Sequence, residues 1–239
     1  MTNEAIILAG GLGTRLQSVV SDVPKPMAEV AGRPFLDYIM YFLAKNNISK
    51  AVLAVGYKHE IIQQHLHIPE NRCGLELAYS IEKDLLGTGG AIYQAFSQIK
   101  GDSAFIINGD TYFDMSLTDL DEFAQCRQAE LAFALKETTD AGRYGNVLCS
   151  ARGKILAFTE KGYTNESPIR INGGIYLMRK SLIERFPMPP EFSIEQALFQ
   201  SHTPDLNAFG KVYPGDFIDI GIPEDFHRAQ ALLHDKLPA

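Results

Sequence analysis

The chain has 239 residues, of which 46% are hydrophobic and 21% are charged, and its net charge at pH 7 is −7. This length accommodates one large α/β domain with a sizeable core. Because there is no long run of Lys or Arg, the composition argues against nucleic acid as the main partner, and no apolar stretch approaches the ~20 residues of a membrane span. Cys73, Cys126 and Cys149 stand apart without zinc-ligand spacing, so we expect a reduced, cytoplasmic protein.

Short apolar runs alternate with segments of helical spacing in the first half of the chain. We predict strands at 5–9, 51–55, 75–80 and 104–107, and helices at 35–45, 58–65 and 89–99. This alternation is typical of a mostly parallel sheet with helices on both faces. Ligands of such sheets bind beyond the carboxyl ends of the strands, which is where Gly10 and Asp110 follow their strands.

The second half adds strands rather than new β-α-β units. We predict strands at 131–136 and 170–178, a hairpin of 145–150 with 154–159, short strands at 212–213 and 217–220, and helices at 193–200 and 223–233. Ser193 is placed to cap the first of these helices, with Gln196 at the capping-box position. Since there is no linker, repeat or low-complexity segment, we predict one domain over residues 1–239.

A glycine-rich loop follows the first predicted strand. The segment reads Leu8-Ala9-Gly10-Gly11-Leu12-Gly13-Thr14-Arg15-Leu16, and Pro24-Lys25-Pro26-Met27 comes soon after it. Three glycines in four positions allow a sharp turn and close approach to a ligand, and successive backbone N–H groups there form an anion-binding concavity. Arg15 and Lys25 add two cations. The loop is therefore a candidate binding site for a nucleoside triphosphate.

Two common nucleotide motifs do not fit this loop. A P-loop requires a Lys directly after its last glycine, and none is present here. The dinucleotide motif requires a third glycine where this chain has Leu16, and Pro24 and Pro26 prevent a long helix from following. A ligand-free turn remains the simpler alternative, but such a turn needs one glycine rather than three with two nearby cations.

The chain resembles the sugar-phosphate nucleotidyltransferases. Besides the two segments above, the motifs that carry the resemblance are Gly87-Thr88-Gly89-Gly90-Ala91, Asn108-Gly109-Asp110, Tyr144-Gly145-Asn146-Val147, Glu160-Lys161, Asn172-Gly173-Gly174 and Asp219-Ile220-Gly221. The resemblance implies a Rossmann-like three-layer α/β/α fold with a mixed, mostly parallel sheet. It also implies transfer of a nucleotidyl group from an NTP to a sugar 1-phosphate with release of pyrophosphate, a nucleotide-binding half at about 1–115 and a sugar-binding half at about 116–239.

The same resemblance implies which residues form the site. Arg15, Lys25 and Lys161 would be catalytic: Arg15 holds the leaving pyrophosphate, Lys25 offsets charge at the α-phosphate and Lys161 meets the attacking phosphate. The nucleotide would be bound by Leu8, Ala9, Gly10, Gly11, Gly13, Thr14, Arg15, Lys25, Glu82, Gly87, Thr88, Asn108 and Asp110. The sugar phosphate would be bound by Tyr144, Gly145, Glu160, Lys161 and Asn172. The alternatives are a solvated Lys25, a solvated Glu160–Lys161 pair and simple packing of Tyr144.

Asp110 and Asp219 are the candidate metal ligands. Mg²⁺ prefers carboxylates, water and substrate phosphates, and Asp110 follows a predicted strand while Asp219 sits between two isoleucines, where an uncompensated carboxylate would be costly. As a pair in family positions they are expected to bind Mg²⁺. Taken singly, either aspartate is equally well explained as a cap or turn residue.

Glu82 bears on which base is bound. An ionised carboxylate only accepts hydrogen bonds. Guanine offers two adjacent donors, N1–H and the 2-amino group, whereas uracil and thymine offer one donor flanked by acceptors. Glu82 therefore favours guanine if it faces the base. The alternative is a solvent-facing Glu82 with the base read by backbone groups.

The motifs around Glu82, Asn172 and Asp219 are most similar to those of the D-glycero-α-D-manno-heptose 1-phosphate guanylyltransferases. The expected substrates are then GTP, or another NTP, and a heptose 1-phosphate. Leu86 departs from the pattern, because many relatives carry Pro there. Open alternatives are a mannose 1-phosphate guanylyltransferase, a uridylyltransferase acting on an amino-sugar phosphate, and a non-enzymatic regulatory subunit that binds an NDP-sugar. A homo-oligomer is compatible with the sequence, although no coiled-coil pattern indicates one.

Overall fold

A mixed β-sheet with helices on both faces forms the framework of the protein. The computed structural model describes residues 1–11, 13, 16, 20, 22–139, 146–158 and 168–237. The strands within those residues are β1 (Glu4–Leu8), β2 (Glu29–Val30), β3 (Arg33–Pro34), β4 (Lys50–Val55), β5 (Glu76–Ile81), β6 (Ser103–Asn108), β7 (Thr111–Phe113), β8 (Leu131–Thr138), β9 (Val147–Cys149), β10 (Ile155–Phe158), β11 (Ile169–Arg179), β12 (Ala208–Val212) and β13 (Phe217–Asp219).

Helices connect and cover these strands. They are α1 (Phe35–Lys45), α2 (His59–His67), α3 (Gly87–Ala95), α4 (Leu117–Cys126), α5 (Ser181–Arg185) and α6 (Pro223–Leu232), with a π-helix over Glu195–Gln200 and 3₁₀ turns at Lys25–Met27, Pro69–Arg72, Phe96–Gln98 and Thr203–Asp205. In the part of the chain that the structure describes, no helix is long and apolar enough to cross a membrane.

The main sheet has the strand order β12-β8-β11-β6-β1-β4-β5 among the described residues. Strands β6, β1, β4 and β5 are mutually parallel, β11 runs antiparallel to both β6 and β8, and β12 is parallel to β8. The sheet is therefore mixed and mostly parallel, as predicted. Because four neighbouring strands share one direction, their carboxyl ends meet at one edge, and Leu8, Val55, Ile81 and Asn108 all end there.

Alternating residues of the central strands face two separate apolar layers. Ile7 packs in the layer that contains α1, α2, α4 and α6. Its neighbour Ile6 packs in the layer that contains α3, α5 and the π-helix. Since both faces of each central strand are buried, the strands are apolar throughout, and the three-layer α/β/α arrangement predicted from the sequence is confirmed.

Most predicted elements are found close to their predicted bounds. The helix predicted at 35–45 is α1, and the predicted hairpin is the antiparallel pair β9 and β10. Ser193 accepts a hydrogen bond from the Gln196 N–H at 3.4 Å, as predicted, although the helix is of the π type over Glu195–Gln200. The predictions omitted α4, which begins with Ser116 accepting the Asp119 N–H at 3.2 Å.

The carboxylate of Glu4 ties the start of β1 to the turn before β6. It accepts the Gly101 N–H at 2.7 Å and the Lys100 N–H at 3.1 Å, and it lies 3.5 Å from the buried Lys50 ammonium. Burial by itself would raise the pKa of Glu4, but the two backbone hydrogen bonds and Lys50 outweigh it and lower that pKa below its usual value. The ionised carboxylate therefore stabilises the fold.

We expect Glu4→Ala to lower the free energy of unfolding at pH 7 by roughly 3 kcal/mol, because the buried Lys50 loses its partner. Urea denaturation measures this. Since the folded-state pKa of Glu4 is lowered, its contribution is present above the unfolded-state pKa and is lost as the pH falls through the folded-state pKa. The control is Glu76→Ala, whose exposed carboxylate lies 3.9 Å from Lys100 and which should cost under about 1 kcal/mol. Equal losses in the two variants would contradict this account.

Candidate functional site

A cavity of about 350 Å³ opens at the edge where the parallel strands end. It lies beyond the carboxyl ends of the strands, where ligands of such sheets bind. Its lining combines the glycine-rich loop, the segment after β5, the start of α3 and the segment after β6. The lining residues are Leu8, Ala9, Gly10, Gly11, Gly13, Lys25, Pro26, Glu82, Leu85, Gly87, Thr88, Ala91, Asn108, Gly109, Asp110, Glu195 and Gly221.

The glycine-rich loop leaves the sheet between its two neighbouring strands. The Ala9 N–H donates to the Ala54 carbonyl at 2.8 Å, and the Gly109 N–H donates to the Leu8 carbonyl at 2.9 Å. These bonds continue the pairing of β1 past its last residue. A Cβ on Gly10 would lie only 2.3 Å from Oε1 of Glu82, so a larger residue at position 10 would displace that carboxylate.

A cation that lines the cavity lies against the carboxylate of Asp110. The Lys25 ammonium donates to Oδ2 of Asp110, and a Cβ on Gly221 would lie 3.2 Å from that ammonium and 2.7 Å from Oδ1 of Asp219. The side chain of Lys25 is only 11% exposed, so the alternative of a solvated surface lysine does not apply.

Strand pairing brings the two aspartates together although they lie 109 positions apart in the chain. In the antiparallel ribbon of β7 and β13, Asp219 is opposite Thr111, and the Ile220 N–H donates to the Asp110 carbonyl at 2.9 Å. Asp110 also accepts the Thr111 hydroxyl at 3.2 Å, and Asp219 accepts the Gly221 N–H at 2.6 Å. The positions predicted as metal ligands are thus neighbours: Asp110 lines the cavity, and Asp219 does not line it but accepts the N–H of Gly221, which does.

The two carboxylates suit a hard divalent cation that takes most of its ligands from water and substrate phosphates. Among the described residues, no group of three or more His, Cys, Asp or Glu side chains is placed to hold a metal ion. Mg²⁺ is usually bound through one or two carboxylates together with water and substrate phosphates rather than by a full protein cage. The Asp110 and Asp219 pair fits that requirement, and a cation there would lie beside Lys25.

Glu82 also lines the cavity. Its side chain points into the cavity, where Oε2 accepts the Leu86 N–H at 3.2 Å. Burial raises the pKa of Glu82, and the Leu86 hydrogen bond partly opposes that rise. Glu82 is thus partly buried and lines the cavity, and its contact with a base stays a prediction.

A segment from the second half of the chain closes the cavity near the start of α3. The Gly89 N–H donates to the Phe192 carbonyl at 2.9 Å, and a Cβ on Gly89 would lie 2.1 Å from Cε2 of the Phe192 ring. The Thr88 hydroxyl donates to Glu195 at 2.7 Å and accepts the Ile194 N–H at 3.0 Å. Packing against the Phe192 ring therefore requires glycine at position 89, whether or not that residue also contacts a nucleotide.

Glu195 is a cavity residue that sequence reasoning missed. Its carboxylate accepts the hydroxyls of Thr88 and Ser193, the latter at 2.8 Å, and it lines the cavity. The Ser193–Gln196 capping pattern indicated a helix start there but gave no sign that the intervening acid faces a site. Its place in the cavity is revealed only by its hydrogen bond with Thr88, which lies more than one hundred positions earlier in the chain.

The predicted sugar-phosphate residues are only partly described. Oδ1 of Asn172 accepts the Gly174 N–H at 3.0 Å, and a Cβ on Gly174 would lie 3.1 Å from Nδ2 of Asn108. This places the Asn172 turn next to the edge that carries Asn108, although Asn172 does not line the cavity itself. Thr14, Arg15, Tyr144, Gly145, Glu160 and Lys161 lie outside the described residues, so their roles stay predictions.

The sequence and the fold both match known proteins. The nucleotidyl transferase family model matches residues 4–236. The D-glycero-alpha-D-manno-heptose 1-phosphate guanylyltransferase of Aneurinibacillus thermoaerophilus is 43% identical over 231 residues, which are 96% of this chain and 98% of that protein. Its namesake from Campylobacter jejuni is 40% identical over 224 residues, covering 94% and 97%.

A solved structure agrees with these matches. HddC from Yersinia pseudotuberculosis, complexed with GMP-PN, is 34% identical and superposes with a TM-score of 0.84 over 97% of this chain and 100% of that chain. The family predicted from the motifs is therefore confirmed. Since the family model matches nearly the whole chain and the two relatives are at least 40% identical over almost their full lengths, this chain belongs to the nucleotidyl transferase family.

Proposed function

We propose that this protein transfers the guanylyl group of GTP to D-glycero-α-D-manno-heptose 1-phosphate, forming GDP-heptose and releasing pyrophosphate. The observation that carries the base assignment is the Glu82 carboxylate inside the cavity. A carboxylate accepts two hydrogen bonds side by side, which matches the adjacent N1–H and 2-amino donors of guanine. The sugar assignment is supported by the two heptose 1-phosphate guanylyltransferases that share at least 40% identity with the chain.

The reaction requires two polyanions to meet. An oxygen of the sugar phosphate attacks the α-phosphorus of GTP, a new P–O bond forms, and the bond to the pyrophosphate breaks with its electron pair on the leaving oxygen. Positioning and charge stabilisation dominate such transfers. The backbone of Gly10 and Gly11 would hold the triphosphate, and Lys25 would offset the charge that develops at the α-phosphate.

The remaining cations act at the two ends of this transfer in our proposal. Arg15 holds the leaving pyrophosphate and Lys161 holds the attacking phosphate, as the family motifs imply. Tyr144, Glu160 and Asn172 contact the sugar. Enzymes of this family generally use a divalent metal ion. We propose that Asp110 and Asp219 hold Mg²⁺, which supplies further charge neutralisation on the triphosphate when bound.

Lys25 has a second task in this scheme. In the structure it is the hydrogen-bonded counterion of Asp110, so the charge of that carboxylate is balanced without a ligand.

We place the activity in the cytoplasm, because the isolated cysteines suit a reducing compartment.

Pyrophosphate release across GTP, UTP, dTTP and ATP, each with a panel of sugar 1-phosphates that includes mannose 1-phosphate, tests the proposal. We expect the highest kcat/KM with GTP and the heptose 1-phosphate. Glu82→Gln should lower the ratio of GTP to UTP activity roughly 10- to 100-fold, because the amide presents a donor to one of the guanine N–H groups.

Glu76→Gln provides a matched control, since Glu76 lies on the same strand, β5, and its side chain is exposed. It should leave the nucleotide preference unchanged. A wild-type enzyme that prefers UTP would overturn the base assignment, and a preference for mannose 1-phosphate would replace the sugar assignment.

A further inference from the structure

The peptide N–H of Leu86 lies within hydrogen-bonding distance of the base-facing carboxylate. Glu82 begins the segment that leaves β5, and its own N–H donates to the Val55 carbonyl at 2.8 Å. Four residues later the chain turns back, and the Leu86 N–H donates to Oε2 of Glu82 at 3.2 Å. Residue 86 is also the position at which this chain has Leu where many relatives carry Pro.

The backbone of Leu86 is itself fixed from the other side. The Phe192 N–H donates to the Leu86 carbonyl at 3.0 Å, and the Phe192 carbonyl accepts the Gly89 N–H at 2.9 Å. Leu86 has φ −97° and ψ −9°, which is ordinary backbone. The first bond holds the Leu86 carbonyl and the second holds the start of α3, so the backbone that follows the Leu86 N–H is anchored to Phe192.

The Glu82 carboxylate is thus held between two backbone groups. Oε1 lies over Gly10, where a Cβ would be 2.3 Å away, and Oε2 accepts the Leu86 N–H. We propose that the Leu86 N–H is a positioning group for base recognition, which holds the Glu82 carboxylate in the orientation that accepts the N1–H and 2-amino donors of guanine. The inference rests on the proposed use of GTP.

The geometry allows both interactions at once. Each oxygen of a carboxylate has two acceptor lone pairs, so Oε2 can accept from Leu86 and from guanine together. A proline at 86 would have no N–H to donate. The hydrogen bond therefore requires a residue other than proline at position 86.

The charge state of Glu82 depends on the same bond. Burial raises the pKa of Glu82 and the Leu86 N–H lowers it, so removing that N–H should raise the pKa further. Gly10 and Gly56 pack against the side chain of Glu82 and carry no titratable group. The charged groups that share the cavity or the segment are Lys25, Asp110, Glu195, Lys83 and Asp84.

Leu86→Pro removes the N–H and Leu86→Ala keeps it. We expect Leu86→Pro to raise KM for GTP roughly tenfold, since a hydrogen bond to a charged group is lost, with kcat within about twofold and KM for UTP unchanged. The acid limb of kcat/KM with GTP should move to higher pH, because Glu82 is then protonated at a higher pH. Leu86→Ala should match the wild type in all three measurements.

A double-mutant comparison separates positioning from general damage. In a Glu82→Ala background, Leu86→Pro should have no further effect on the GTP to UTP ratio, because the acceptor that the Leu86 N–H orients is gone. Equal losses with GTP and UTP, or an undiminished effect in the Glu82→Ala background, would overturn the proposal.

A second measurement uses the unmodified backbone and no nucleotide. In ¹⁵N-labelled wild-type protein, the Leu86 amide shift should follow the titration of Glu82, and this titration should vanish in Glu82→Gln. The Gly89 amide, which donates to the Phe192 carbonyl, serves as the internal control and should stay flat. A Leu86 amide that does not titrate would refute the bond even if the enzyme uses GTP. A titrating amide in an enzyme that prefers UTP would instead refute the proposed function alone.

Discussion

Replacing either aspartate of the cavity edge by alanine, as Asp110→Ala or Asp219→Ala, is expected to lower kcat/KM for pyrophosphate release at least about 1,000-fold. The two carboxylates lie on the paired strand ends of β7 and β13, and they are the described acids placed beside Lys25. Each variant leaves a single carboxylate to hold the proposed Mg²⁺. The metal ion would then no longer be oriented toward the triphosphate. Initial rates with GTP over a series of Mg²⁺ concentrations measure the loss.

Asp216→Ala is the matched control for this experiment. Asp216 precedes β13 and pairs with Lys236 at 2.8 Å, and it does not line the cavity. The variant should retain wild-type kcat/KM. Full activity in Asp110→Ala or Asp219→Ala would remove that residue from the metal site, whereas recovery at high Mg²⁺ would indicate weakened metal binding rather than a lost catalytic group.

Lys25→Met is expected to lower kcat roughly 100- to 1,000-fold, which is the usual cost of removing one group that stabilises charge in a transition state. Lys25 is buried against Asp110 and Gly221 at the cavity edge, so bulk water cannot replace its charge cheaply. Stopped-flow or steady-state pyrophosphate release at saturating GTP measures the effect. Lys45→Met, which removes an exposed lysine 3.8 Å from Asp114, should have no effect.

The two roles of Lys25 can be told apart. If it serves only as the counterion of Asp110, then Lys25→Met will change thermal stability while kcat stays at the wild-type level. If it acts on the α-phosphate, then kcat falls even where the folded protein is as stable as the wild type. Only the second result supports the proposed catalytic role.

Much of the fold could be predicted because its signals are local. The first half has apolar strands buried on both faces and amphipathic helices, and α1 was predicted with its observed bounds. The edge position of Gly10 and Asp110 followed from the rule that ligands bind beyond the carboxyl ends of parallel strands. The family itself was predicted from motifs, and the match over residues 4–236 confirms it.

Pairings between distant segments could not be predicted from periodicity. The position of β11 between β6 and β8 depends on which strand edges meet, and an apolar period of two does not encode that choice. Glu195 is part of the cavity for the same reason, since its approach to Thr88 requires the second half of the chain to fold over the first. Helix α4 was missed for a different reason. Its local signals, the Ser116 cap and the Leu117–Leu120–Phe123 spacing, were present in the sequence but were not recognised.

The hydrogen bonds between residues 86–89 and Phe192 have a consequence for protein engineering. The segment proposed to face the base is held by a partner more than one hundred positions later, through the Phe192 bonds to Leu86 and Gly89 and the ring packed on Gly89. A graft of residues 82–90 from a relative with another base preference would meet a foreign partner surface. Under the proposed function, an exchange of base specificity therefore requires that the two chain segments be replaced together.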